Sequence, residues 1–251
     1  MKKIALTAIF ASTFLAALPA RAGSGYYLVS LYENEGEKTI DFKSWSSFAD
    51  NRATTTVPEL GVSYMPNKTW YTEVIANWAK HGASAWETSA WTWQNDFLLT
   101  HGQYPLDLAL HTNLNKNTDS SSGVDFEFGP AMQTDFDRLQ VNANVFFERT
   151  YRSSQVSSTQ MKYQWQGKYR WRPALEFGVL GFGELGSWSN WSAGAKQSHR
   201  IGPVISGSFR PGDGGNDSSN KAAVRYDVSY VSGKINARHA SVFSMRLQYA
   251  F

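Results

Sequence analysis

The stretch MKYQWQGKYRWR, from Met161 to Arg172, divides into two chemically different sets when every second residue is taken. One set holds Met161, Tyr163, Trp165, Gly167, Tyr169 and Trp171, and the other holds Lys162, Gln164, Gln166, Lys168, Arg170 and Arg172. Successive side chains of a β-strand point to opposite faces, so a strand here separates aromatic residues from cations and amides. Tyr and Trp suit a boundary between lipid and water. The pattern indicates either the edge of a soluble β-sandwich or a transmembrane barrel strand with lipid outside and a watery lumen inside.

The beginning of the chain predicts a secretory signal peptide over residues 1–22. Two lysines precede an apolar run at residues 4–18, and Ala20-Arg21-Ala22 forms a small-residue cleavage site. The apolar run is too short for a membrane-spanning helix. The mature chain is expected to begin at Gly23 and to be exported. Residues 23–36 are expected to form a separate segment, either in the periplasm or folded into the mouth of a barrel.

Charge and composition narrow the classes of partner. Three of the 24 Lys and Arg residues lie in the signal peptide, and without them 21 cations face 21 Asp and Glu residues, a net charge of zero. No argument for a nucleic-acid partner therefore remains. The chain has 10 Trp, 12 Tyr and 15 Phe but no Cys, and its mean hydropathy is −0.41. Abundant aromatics with low hydropathy are typical of barrel strands, which are only half apolar.

Alternating segments separated by turn residues continue along the mature chain. Twelve are predicted as strands, over residues 37–49, 54–65, 69–80, 86–100, 104–113, 121–133, 137–150, 157–172, 174–185, 197–210, 220–232 and 239–251. The predicted connections alternate between tight turns, at Pro66, His101-Gly102-Gln103, Asp135 and Pro173, and longer polar loops. Short periplasmic turns and longer external loops are the rule for outer-membrane barrels. The predicted fold class is therefore all-β, a single closed antiparallel transmembrane β-barrel of about twelve strands over residues 37–251.

The final stretch, SVFSMRLQYAF, places apolar side chains at every second position and ends on an aromatic residue. It resembles the closing strand of Gram-negative outer-membrane proteins, in which such residues are read by the barrel assembly machinery. The resemblance implies that Phe251, Tyr249 and Leu247 form this membrane-assembly signal. It also implies location in the cell outer membrane, with outer-membrane lipid, lipopolysaccharide and the assembly machinery as partners.

Further resemblances concern architecture. Twelve strands with a terminal Phe resemble the small sugar-acid channels and also the outer-membrane phospholipases. A closer resemblance is to a set of uncharacterised exported proteobacterial proteins that share three stretches, here GEKTIDF at 36–42, ELGVSYMPNKTWYTEV at 59–74 and AWTWQNDFLLT at 90–100. This resemblance implies an outer-membrane location and brings no substrate or catalytic residue.

Strand parity predicts which charged side chains enter the lumen. The inward acids are Glu73, Asp107, Asp125, Glu127 and Glu148. The inward cations are Lys162, Lys168, Arg170, Arg172, Arg200, Arg225 and Arg246. Acidic strands 3–7 would then face basic strands 8–12 across the lumen. Two interpretations remain open, that the charges pair and fill the interior, or that they line a narrow channel selecting small polar or charged solutes.

Alternatives to a channel rest on fewer residues. His239-x-Ser241 resembles the catalytic pair of outer-membrane lipases and deacylases, but Val242-Phe243 departs from their pattern and His239 faces lipid by parity. The sequence predicts no catalytic residue, metal site or cofactor. His111 is expected to face inward beside Asp107, and GDGGND at 212–217 is interpreted as a flexible turn. A third hypothesis is a non-conducting barrel whose loops bind a partner, with Trp188 and Trp191 as anchors.

Overall fold

The computed structural model describes residues 25–31, 34–154, 157–211, 222–235 and 238–251, so the predicted signal peptide and the GDGGND turn lie outside the described residues. Twelve long antiparallel strands follow the predicted segments, and the largest difference in bounds is at the end of the fifth, predicted at 113 and observed at 117. The strands are β1 (Lys38–Ala49), β2 (Thr55–Asn67), β3 (Trp70–His81), β4 (Glu87–Leu98), β5 (Asp107–Asn117), β6 (Val124–Phe136), β7 (Leu139–Tyr151), β8 (Gln160–Arg172), β9 (Leu175–Ser187), β10 (Ser198–Phe209), β11 (Ala223–Ile235) and β12 (Arg238–Ala250).

The sheet closes on itself between its first and last strands. β12 pairs with β1 from Thr39 opposite Ala250 to Ala49 opposite Ala240, and every long strand pairs with the strands on both sides of it. Beyond the ladder, the Phe251 N–H donates to the Lys38 carbonyl oxygen at 3.0 Å. Closure gives the backbone N–H and C=O groups of each strand a partner without water, as a membrane-spanning sheet requires. The predicted closed antiparallel barrel is confirmed.

The pattern of buried and exposed side chains along the strands is the reverse of that in a soluble sheet. On β2, Leu60 and Val62 are 46% and 60% exposed, whereas Glu59 and Ser63 beside them are buried. Apolar side chains thus predominate on the outer face and polar side chains predominate on the lumen face, which is the arrangement that lipid around a barrel requires. No helix in the described ranges is long and apolar enough to cross a membrane.

The aromatic face of β8 covers glycines on the neighbouring strand. Tyr163 is opposite Gly183, and Trp165 is opposite Gly181. A Cβ atom placed on either glycine would collide with the ring of its partner. The glycines therefore allow the two rings to lie flat across the outer surface of β9, which accounts for the aromatic half of the stretch from Met161 to Arg172.

Tight turns join strands at the end of the barrel where the C-terminus lies, called here the C-terminal end. The links at 68–69, 137–138 and 173–174 have two residues each, so these three connections are tight turns, as predicted, although their bounds differ from the predicted ones. The link predicted as a tight turn at His101-Gly102-Gln103 is longer and spans residues 99–106. Asp107 orders this loop, because its carboxylate accepts hydrogen bonds from Thr100 Oγ1 at 3.0 Å and from the Gly102 N–H at 2.7 Å.

Candidate functional site in the barrel lumen

The lumen holds nearly all of the charged side chains that strand parity predicted there. The acids Glu73, Asp107, Asp125, Glu127 and Glu148 are all buried. Arg200 is buried as well, and the side chains of Lys162, Lys168, Arg225 and Arg246 are 13–25% exposed. Arg170 lies closer to the C-terminal end, where it meets Asp135 at 2.9 Å.

Arg172 does not line the lumen as predicted. It is exposed at the end of β8, with its guanidinium 4.6 Å from the centre of the Trp171 ring. The regular pairing of β8 with β9 is interrupted by a register shift between Arg170 and Arg172, so the alternation of inward and outward side chains does not extend to Arg172. The predicted column of four cations on β8 is therefore a column of three.

The first ion network joins β1, β3 and β12. Lys43 Nζ donates to both carboxylate oxygens of Glu73 at 2.9 Å and lies 3.5 Å from Asp41. Arg246 donates to the same Asp41 oxygen from Nε at 2.7 Å and from Nη2 at 2.6 Å, and Gln248 adds a hydrogen bond at 3.2 Å. The predicted residues Glu73 and Arg246 are thus connected through Asp41 and Lys43, which the prediction omitted although the alternation of TIDFKSW puts both on one face.

The second network joins β4 to β8. Lys162 contacts Glu148 and also Glu127, the latter at 3.2 Å. Glu127 Oε1 lies 3.6 Å from Nε2 of the fully buried His111. Nδ1 of His111 hydrogen-bonds Asp96 at 2.5 Å. His111 faces inward as expected, but its acidic partners are Asp96 and Glu127, because the strand register places Asp96 directly opposite it.

The remaining lumen cations also have acidic partners close by. Lys168 meets Glu176 of β9 at 2.7 Å. Arg225 makes two hydrogen bonds, at 2.6 and 2.8 Å, to the carboxylate of Glu37. Lys168 and Arg225 are therefore neutralised by acids outside β3–β7, whereas Lys162 is neutralised by acids of β6 and β7.

Residues 25–31, called here the lumen strap, lie inside the barrel. The Val29 N–H donates to Gln164 Oε1 at 3.1 Å, and Asn144 Nδ2 donates to the Val29 carbonyl oxygen at 2.9 Å. At the beginning of the strap, Arg200 Nη1 donates to the Tyr26 hydroxyl at 2.5 Å, and Arg200 Nη2 donates to Glu184 at 2.8 Å. Residues 25–31 of the predicted segment 23–36 are therefore held within the lumen by side chains of β7, β8 and β10.

Apolar contacts hold the strap at two opposite places on the wall. The Tyr26 ring makes edge-to-face contacts with Trp45 and Phe182, with centroids 5.0 and 5.8 Å away. Val29 and Leu31 pack in a second cluster, with Ala109, Ala131 and Phe146 of β5–β7. Because the first cluster belongs to β1, β2 and β9–β12, the strap crosses the lumen from one wall to the other.

Two cavities adjoin the strap. The larger has a volume of about 220 Å³ and is lined by the strap and by inward residues of β7–β12. The smaller, of about 50 Å³, lies between the strap and β1–β5. Tyr27 borders both cavities. Burial and the nearby carboxylates of Glu59 and Asp41 raise the pKa of Tyr27 well above its ordinary value, so its hydroxyl stays protonated.

Comparison with solved structures identifies the architecture. The KdgM porin, solved with disordered oligogalacturonate, superposes with a TM-score of 0.54 at 11% identity, covering 85% of this chain and 99% of the porin. An outer-membrane channel from Pseudomonas putida F1 gives a TM-score of 0.61 at 9% identity, over 87% of this chain and 96% of the channel. The chain has the fold of an outer-membrane channel. No protein-family model matches the sequence, and no curated protein sequence does either.

The pair resembling a lipase lies on the outside of this channel fold. His239 and Ser241 do not contact each other directly, since Ser241 Oγ donates to Ser232 Oγ at 3.1 Å and Ser232 Oγ lies 3.2 Å from His239 Nε2. Within the described ranges, no carboxylate hydrogen-bonds His239. A serine nucleophile is activated by a His that is itself oriented by a third group, and this arrangement supplies neither contact.

Proposed function

We propose that the protein is a narrow outer-membrane channel for small polar solutes. The observation that carries the proposal is a closed barrel with a lipid-compatible outer face and a lumen lined by paired charges, amides and hydroxyls around two cavities. Charges this numerous are unsuited to contact with hydrocarbon and mark a water-accessible interior. Export through the predicted signal peptide and insertion by the assembly machinery belong to the same proposal.

The lumen strap sets the width of the proposed channel. It crosses the lumen between two apolar clusters, and its backbone forms hydrogen bonds with side chains that would otherwise face water. The intact protein is therefore expected to give a small, steady single-channel conductance in a planar bilayer. A variant lacking residues 23–31 of the mature chain is expected to give a clearly larger conductance, because the two cavities would join.

The comparison between intact and shortened protein tests the proposal. Folding of each preparation is checked by heat-modifiable migration on a gel. Ser46→Ala, a substitution on the outer face, is the control and is expected to leave the conductance unchanged. Two correctly folded proteins that both fail to conduct would contradict the channel, and a shortened protein that conducts no more than the intact one would contradict the role of the strap.

An enzymatic function is not part of this proposal. Two of the structural neighbours are a porin and a channel, and the His239 and Ser241 side chains do not hydrogen-bond each other directly. The purified intact protein is expected to hydrolyse lipid esters only at the background rate. Replacing both residues by Ala is expected to leave that rate unchanged. Loss of a measurable esterase activity in the double variant would establish the lipase hypothesis instead.

A further inference from the structure

The larger cavity beside the strap is a polar chamber rather than a gap in a packed core. Its volume of about 220 Å³ is many times the ~10–15 Å³ that one water requires. Amides and hydroxyls dominate its lining, and the amides are Gln140, Asn142, Gln166 and Gln248. Groups of these types form hydrogen bonds and carry no net charge. The chemistry of the chamber is therefore set by how its few charged residues are compensated.

Each cation of the chamber is already bonded to a carboxylate. Lys168 is 2.7 Å from Glu176, Arg225 is bonded twice to Glu37, and Arg246 is bonded twice to Asp41. Asp227 also lines the chamber. An entering anion would meet guanidinium and ammonium groups whose charge is already neutralised, together with nearby carboxylates that repel it. An entering cation would compete with the same three residues for their carboxylates.

Two polar atoms in the chamber lining have unused hydrogen-bonding capacity. The Tyr27 hydroxyl and Asn142 Oδ1 are buried and have no hydrogen-bond partner among the described residues. Asn142 uses its other polar atom, because Nδ2 donates to Gln133 Oε1 at 2.9 Å. The Tyr27 hydroxyl is a buried donor and Asn142 Oδ1 is a buried acceptor, and a solute hydroxyl group is able to satisfy either, since it both donates and accepts.

From these observations we propose that the chamber is a binding subsite for small uncharged polyhydroxy solutes, of the size and chemistry of a monosaccharide. The inference rests on the proposed channel function and specifies its solute. Hydroxyl groups satisfy Tyr27 and Asn142 without disturbing the three ion pairs. A carboxylate on the same sugar ring would lie near the carboxylates of Glu176 and Asp227, and an ammonium group would lie near Lys168, Arg225 and Arg246, so that either charge meets like charges in the lining.

The test compares three solutes of nearly equal size in vesicles containing the intact protein. Swelling rates are measured with glucose, glucuronate and glucosamine as the osmolytes. Glucose is expected to enter fastest, and the two charged sugars are expected to enter more slowly. Entry of glucuronate or glucosamine at the rate of glucose would overturn the proposed solute class while leaving the channel intact. Absence of swelling with all three, in vesicles shown to contain folded barrel, would overturn the channel itself.

A substitution locates the subsite within the lumen. Tyr27→Phe retains the ring and removes only the hydroxyl, so the barrel and the strap are preserved. The glucose concentration that half-blocks the single-channel current is expected to rise about fivefold, the usual effect of losing one neutral hydrogen bond. Tyr163→Phe is the matched control, because its hydroxyl lies on the outer face and bonds His199 at 2.7 Å. Equal block of the Tyr27→Phe variant and the intact protein would overturn the assignment of the site.

Discussion

At the scale of single residues, the lumen charges depend on partners supplied by other strands. Lys162 is the clearest case, because it lies between Glu127 and Glu148, two acids that are direct cross-strand neighbours on β6 and β7. Both carboxylates are 2% exposed. Without the ammonium group, two buried negative charges would stand side by side, and such a pair repels strongly at low dielectric constant.

Replacing Lys162 by Met is therefore expected to destabilise the barrel. Removing one partner of a buried ion pair typically lowers the free energy of unfolding by about 3–5 kcal/mol. The measurement is urea-induced unfolding of the protein in lipid vesicles. Lys162→Arg, which keeps the positive charge, is expected to lose clearly less stability than Lys162→Met, and equal losses in the two variants would show that the charge is not what matters.

Lys168 offers a test of ion selectivity. Its replacement by Gln leaves Glu176 without the cation that lies 2.7 Å away in the intact protein, so the lumen gains negative charge. The reversal potential measured across a salt gradient is expected to shift toward cation preference, since lumen substitutions tune selectivity. The double variant Lys168→Gln with Glu176→Gln is expected to return the reversal potential to that of the intact protein.

Strand parity predicted which residues enter the lumen but not which residues they meet. Side-chain direction follows from the period of two along one strand, which the sequence displays directly. The partner of His111 depends instead on the register between neighbouring strands, which places Asp96 opposite it. Register is set by turn geometry and packing, and the loop at 99–106 was itself predicted too short.

At the scale of elements, the sequence left the position of the lumen strap open between the periplasm and the mouth of the barrel. Its signal was present in the apolar run Tyr26-Tyr27-Leu28-Val29, which lies next to the predicted cleavage site and has no strand assignment. Periodicity does not reveal where such a segment goes, because its partners are remote. The contact of Val29 with Gln164 joins residues 135 positions apart.

Loosening the strap without deleting it is expected to change the behaviour of the channel. Asn144 and Gln164 hold the two backbone polar groups of Val29. Replacing both amides by Ala removes these hydrogen bonds while leaving the apolar contacts of Leu31 and Tyr26. Single-channel recordings of the double variant are expected to show frequent transitions to a higher conductance. A current as steady as that of the intact protein would mean that the apolar clusters alone fix the strap.

At the scale of the whole molecule, the closed barrel predicts both location and resistance to unfolding. No long strand has an unpaired edge, so the protein is expected to stay folded in detergent until it is heated and then to migrate differently on a gel. It is expected to fractionate with the outer membrane of the producing cell. Recovery as a soluble periplasmic protein would contradict the proposed location.

The closing seam also gives the C-terminal residue a structural role. Phe251 continues the β12–β1 ladder by accepting a hydrogen bond from the Lys38 N–H at 3.3 Å as well as donating one. Deletion of Phe251 is expected to lower the fraction of protein assembled in the membrane, because both the seam and the proposed assembly signal are shortened. Phe209→Ala, at the end of β10 and also exposed, is the control that removes an aromatic side chain elsewhere.

The position of the strap has a consequence for the order of assembly. The strap precedes β1 in the chain, yet Tyr26 bonds Arg200 across 174 residues and packs against a wall that includes β12. The cluster that receives Tyr26 is complete only when β1, β2 and β9–β12 have come together. Folding that depends on such distant pairings is slow. The strap, although it precedes every strand in the chain, is therefore expected to be among the last parts of the barrel to reach its final position.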